Sequence, residues 1–166
     1  MILVLGCGNR PITVTGKAIR LDIDPLCQPD IIHDLNELPY PFSDNQFTAI
    51  HAAEVLEHTG KQGDWRFFFK QFTELWRILK PNGLLIMTTP LYTNQWAWGD
   101  PGHSRVIGRE CLTFLSQPNY TEQIGKTAMT DYRHVYKADY DLVKTEDMES
   151  SQLNVLKVVK PSRIKE

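Results

Sequence analysis

Apolar positions fall in short runs early in the chain and in helical or alternating spacings later. Residues 1–5 read as a buried strand. Residues 18–23, 30–33, Phe47 to Ala53 and Gly83 to Thr89 read as four more. Between the last two, Trp65, Phe68, Phe69, Phe72, Leu75, Trp76 and Leu79 recur at helical spacing, while Arg66, Lys70, Gln71, Glu74 and Arg77 take the other face. Asp64 suits the N-cap, and Pro81-Asn82-Gly83 a stop. A short helix is expected over Arg109 to Ser116. From Tyr132 the pattern changes, and 134–144 and 152–160 read as long strands joined by the polar stretch Thr145 to Ser151. Pro11, Thr13, Val14 and Thr15 form helix poorly, so the first crossover is short or irregular. Strands alternating with helices imply an α/β sandwich of three layers, with a mostly parallel sheet and an antiparallel C-terminal hairpin.

The 166 residues are expected to form a single domain, 1–166. A formal net charge of −2 with scattered Lys and Arg leaves no footprint for general nucleic-acid binding. Cys7, Cys27 and Cys111 are far apart and odd in number, which suits a reducing, cytoplasmic setting better than a disulfide framework. The first apolar run is too short for a secretory signal, and no stretch is long enough to cross a bilayer. The sequence shows no metal-ligand spacing, so no metal is expected.

The chemistry gathers at strand ends. Gly6 and Gly8 follow the first strand, where small residues let a backbone approach a ligand. Asp22 and Asp24 end the second strand, where a carboxylate can grip a ribose diol. Asp34 follows the third and can accept from an exocyclic amine. Each residue also has an ordinary role as a turn or cap; their order at successive strand ends favours a nucleoside. Pro11 where a dinucleotide turn needs glycine, with no good helix start behind it, disfavours a pyrophosphate.

These segments resemble the class I S-adenosylmethionine-dependent methyltransferases, whose fold is Rossmann-like. Leu3-Val4-Leu5-Gly6-Cys7-Gly8 is similar to the family's first motif, Leu21-Asp22-Ile23-Asp24-Pro25 to the second, and Asp34 to Phe42 to the third. Phe47 to His58 resembles the fourth-strand motif and Leu79 to Ile86 the helix stop and fifth strand. A looser likeness joins Gly99 to Ile107 to methyltransferase-like proteins of bacteriophages and sugar-modification loci. The resemblance implies S-adenosyl-L-methionine as cofactor, held by Gly6, Cys7, Gly8, Asp22, Asp34, the backbone of Leu35, and His51 at the end of the fourth strand. It implies His58 and His103 as candidate bases near the methyl group. Tyr92, Trp96 and Trp98 read equally as an acceptor wall or as core, and Arg105 as a substrate-anion ligand or a surface ion pair.

Val4 and Arg10 depart from the family's acidic residue and third glycine. The helices that usually precede the first strand are not expected. The expected function is methyl transfer to a small-molecule, sugar or macromolecular acceptor. The alternative is a non-catalytic binding module acting through a partner, with a second copy or a partner protein covering the open site.

Overall fold

A computed structural model describes residues 1–9 and 13–164; Arg10 and Pro11 lie outside the described residues. The strands are β1 (Ile2–Leu5), β2 (Ala18–Asp22), β3 (Ile31–Ile32), β4 (Phe47–Ala53), β5 (Leu79–Pro90), β6 (Tyr140–Asp147) and β7 (Ser151–Val158). They form one sheet in the order β3-β2-β1-β4-β5-β7-β6. The first five are parallel neighbours, and β7 runs antiparallel to both β5 and β6. The fold is the expected Rossmann-like α/β architecture with an antiparallel C-terminal hairpin.

Helix α1 (Trp65–Ile78) forms where its apolar spacing places it. Its first orphan amides are capped by Asp64, whose side chain accepts from the Phe67 N–H at 3.0 Å. Phe69, Phe72, Leu75 and Ile78 are buried against Leu3, Leu5, Ile50 and Leu85 of the sheet. The face read as polar is not wholly so. Gln71 and Glu74 are buried, where Gln71 donates to the Tyr40 hydroxyl and Glu74 accepts from the Tyr40 N–H. Asn82 adopts φ +62°, but the stop falls earlier than Pro81-Asn82-Gly83, because Leu79 is already extended and pairs with Phe47.

After β5 come three short helices, α2 (Trp96–Gly99), α3 (Arg109–Leu112) and α4 (Gln117–Gln123). α3 continues as a 3-10 turn, Thr113–Leu115, within the expected Arg109 to Ser116. α4 was not expected. Its Gln117 side chain donates to the carbonyls of Tyr136 and Ala138, and its N–H to buried Asp139. Those bonds occupy the Tyr136 and Ala138 carbonyls, and the hairpin starts at Tyr140 rather than 134. Pairing then runs to Asp147 opposite Gln152, and the turn is shorter than Thr145 to Ser151.

The layers are unequal. α1, α3 and α4 all contribute to one core on one face of the sheet. Strand positions pointing the other way, among them His51, Leu84, Ile86 and Val155, are partly exposed and outside that core. A right-handed β1–β2 or β2–β3 crossover would cover that face. Among the described residues those connections hold only a 3-10 turn, Pro25–Cys27.

Candidate active site

The glycine turn after β1 is built around Asp22. The Gly6 and Cys7 N–H groups donate to the Leu21 carbonyl at 2.9 and 3.3 Å. The Gly8 N–H donates to Asp22 Oδ2 at 2.8 Å, and Asp22 Oδ1 accepts from the Asp24 N–H at 3.0 Å. Gly6 and Gly8 both adopt positive φ, +59° and +51°. Their surroundings differ. A Cβ on Gly6 would lie 2.3 Å from Val55 Cγ2, whereas a Cβ on Gly8 would meet nothing within 4 Å. Gly8 therefore faces open space beside the partly exposed Asp22 carboxylate. Cys7 is buried, and burial together with Asp22 raises its thiol pKa.

Asp24 serves as the cap of the Pro25–Cys27 turn, accepting from the Leu26 N–H. Asp34 Oδ1 accepts from the backbone and side-chain amides of Asn36 at 2.8 and 2.9 Å, and its Oδ2 has no partner among the described residues. Leu35 is buried, and its carbonyl accepts from the Tyr40 hydroxyl. His51 lies inside β4 rather than at its end, because β4 continues through Ala53; it stands between Val4 and Ile86. Desolvation lowers its pKa and favours the neutral ring.

Beyond β4 the chain turns at Glu54, φ +50°, and passes Val55 against Gly6. This contact sets the Glu54–His58 segment beside the glycine turn. A 3-10 turn, Leu56–His58, follows. The loop after β5 returns to it: the Ser104 and Arg105 N–H groups donate to the Glu57 carbonyl at 2.9 and 3.2 Å. Through that zipper His58 and His103 meet edge to face, with ring centroids 4.7 Å apart. His58 Nδ1 lies 3.0 Å from the Gly102 carbonyl. A carbonyl can only accept, so Nδ1 carries the proton and Nε2 keeps its lone pair.

Arg105 is neither a surface ion pair nor open to substrate. It is buried, donates to the Leu56 carbonyl, Thr59 Oγ1 and Gln71 Oε1, and desolvation lowers its pKa to about 10. It clamps the His103 loop to the Leu56–Thr59 segment. Tyr92, Trp96 and Trp98 are exposed and do not close the core. Glu57, buried between the two histidines' loops, was missed by sequence reasoning; only its place beside His58 in the fourth-strand motif marks it.

A family model described as a methyltransferase domain matches residues 17–87. That stretch, from β2 through most of β5, is similar to a methyltransferase domain. No curated protein matches this sequence significantly. Solved structures share the fold at low identity. A SAM-dependent methyltransferase from Archaeoglobus fulgidus is 13% identical with a TM-score of 0.58, over 94% of this chain and 85% of that one. The cyclase SpnF is 13% identical with a TM-score of 0.60, over 95% and 74%. A putative methyltransferase from Haloferax volcanii, solved with the activator Trm112, is 16% identical with a TM-score of 0.52, over 95% and 82%. At these identities the likeness establishes the fold of the methyltransferase domain. The reaction is argued from the site, since one fold serves several chemistries.

Proposed function

We propose that this chain transfers a methyl group from S-adenosyl-L-methionine to a small-molecule, sugar or macromolecular acceptor. The observation that carries the reading is the Gly8–Asp22 bond at 2.8 Å at the carboxyl edge of the parallel sheet, with Asp34 on the next strand end. Asp22 spends one hydrogen bond per oxygen on backbone, and a carboxylate oxygen can accept a second. Two acceptor sites therefore remain for a diol, and the free Oδ2 of Asp34 suits an exocyclic amine. Gly6, Cys7, Gly8, the Leu35 amide and His51 line the same reading. When bound, the cofactor supplies an electrophilic methyl on a sulfonium. The protein's part is to hold the acceptor in line and exclude water. His58 and His103 meet on the segment that Val55 anchors to the glycine turn, and the bare His58 Nε2 can receive a hydroxyl proton. Tyr92, Trp96 and Trp98 offer an aromatic wall for the acceptor. Residues 1–166 act as one domain in the cytoplasm, and a second copy or a partner protein covers the open side of the site.

Calorimetry with S-adenosylhomocysteine tests the cofactor site. Micromolar binding is expected, weakened by about 2 kcal/mol, roughly thirtyfold, in Asp22→Ala and also in Asp34→Ala. No binding at millimolar ligand would sink the reading.

A further inference from the structure

Glu57 is 1% exposed, and neither of its carboxylate oxygens has a hydrogen-bond partner among the described residues. An ionised carboxylate buried without partners is costly. The guanidinium of Arg105 is close but spends its bonds on Leu56, Thr59 and Gln71. Glu57 Oε1 stands 4.0 Å from His103 Nε2, and Asp100 Oδ2 stands 3.9 Å from the same nitrogen. These gaps are too long for hydrogen bonds. Donors about 2.0–2.2 Å from one tetrahedral ion stand roughly 3.3–3.6 Å apart, so these gaps need close only by about half an ångström for the groups to share an ion.

His58 completes the group. One ligand atom from each of Glu57, His58 and His103 lies within 4.8 Å of the others. The Gly102 carbonyl holds the His58 ring by one nitrogen and leaves the other bare, the arrangement that orients ligating imidazoles. We propose that Glu57, His58 and His103 bind a divalent first-row transition metal ion, with Asp100 at its edge. Two imidazoles and a carboxylate match zinc, iron or nickel better than calcium, magnesium or manganese. The ion satisfies the orphaned carboxylate. Metal binding does not depend on the methyl-transfer reading.

The test is titration of the EDTA-stripped protein with Co²⁺ by visible absorption and with Zn²⁺ by calorimetry. Expected are one ion per chain at micromolar affinity or tighter, d–d bands without a cobalt–thiolate band, and at least tenfold weaker binding in both Glu57→Gln and His103→Asn. The near-isosteric Glu57→Gln should keep its circular dichroism and urea midpoint, so lost binding reads as a lost ligand. Absence of binding below millimolar metal, a thiolate band, or unchanged affinity in Glu57→Gln would overturn the site. The same samples titrated with S-adenosylhomocysteine separate the two readings. Cofactor binding without metal uptake removes only the metal, and metal uptake without cofactor binding removes only the cofactor site.

Discussion

At the residue scale, the two glycines of the first turn do different work. Gly6 combines positive φ with a wall, Val55, whereas Gly8 combines it with open space. An alanine at either position carries the left-handed penalty of about 1–2 kcal/mol. Gly6→Ala adds an overpacking cost of roughly 1–3 kcal/mol, because Val55 must move. Urea denaturation should therefore place Gly6→Ala clearly below Gly8→Ala in stability. Equal midpoints would mean that Val55 does not abut the turn. Because Val55 also sets the Glu54–His58 segment beside the turn, Gly6→Ala should disturb the histidine pair as well, visible as shifted imidazole resonances.

At the element scale, the loop after β5 is held by one buried guanidinium. Arg105 satisfies Leu56, Thr59 and Gln71 at once, joining that loop to the Leu56–His58 turn and to α1. Arg105→Met keeps much of the volume but removes three hydrogen bonds from a charged group, each worth about 1.5–3 kcal/mol, while the Leu56 carbonyl, Thr59 Oγ1 and Gln71 Oε1 keep bonds among themselves. We expect a loss of roughly 3 kcal/mol or more in urea, with faster amide exchange at Ser104 and Arg105. A loss under about 1 kcal/mol would show that the clamp contributes little. The N-cap of α1 is a smaller element: Asp64→Ala should cost about 1 kcal/mol, and a null effect would mean that water caps Phe67 equally well.

At the scale of the whole molecule, the sheet is covered by helices on one side only among the described residues. Leu84 and Leu85 are neighbours in β5, and only Leu85 is in the core. Leu85→Ala should cost roughly 2–5 kcal/mol. Leu84→Ala should cost about 1 kcal/mol, since its side chain keeps part of its solvent contact in the native state. Similar losses in the two variants would mean that the second face is covered in solution.

Local periodicity and turn chemistry determined the strands, α1 with its Asp64 cap, and the placing of Gly6, Gly8, Asp22 and Asp34 at strand ends. Those signals are carried by residues near one another in the chain, so one sequence suffices to read them. Long-range pairing decided the rest. Tyr136 and Ala138 look like strand positions, but the Gln117 side chain takes their carbonyls, and β6 starts at Tyr140. Gln71 and Glu74 look like a solvated helix face, yet segment 35–40 lies across them and buries both. Arg105 looks like a surface charge until Leu56, Thr59 and Gln71 close around it. Glu57 and His58 stand 46 and 45 positions from His103 in the sequence, and only the Ser104–Glu57 zipper brings the three together. A polar side chain's burial depends on which remote carbonyls and hydroxyls reach it, and tertiary packing alone decides that.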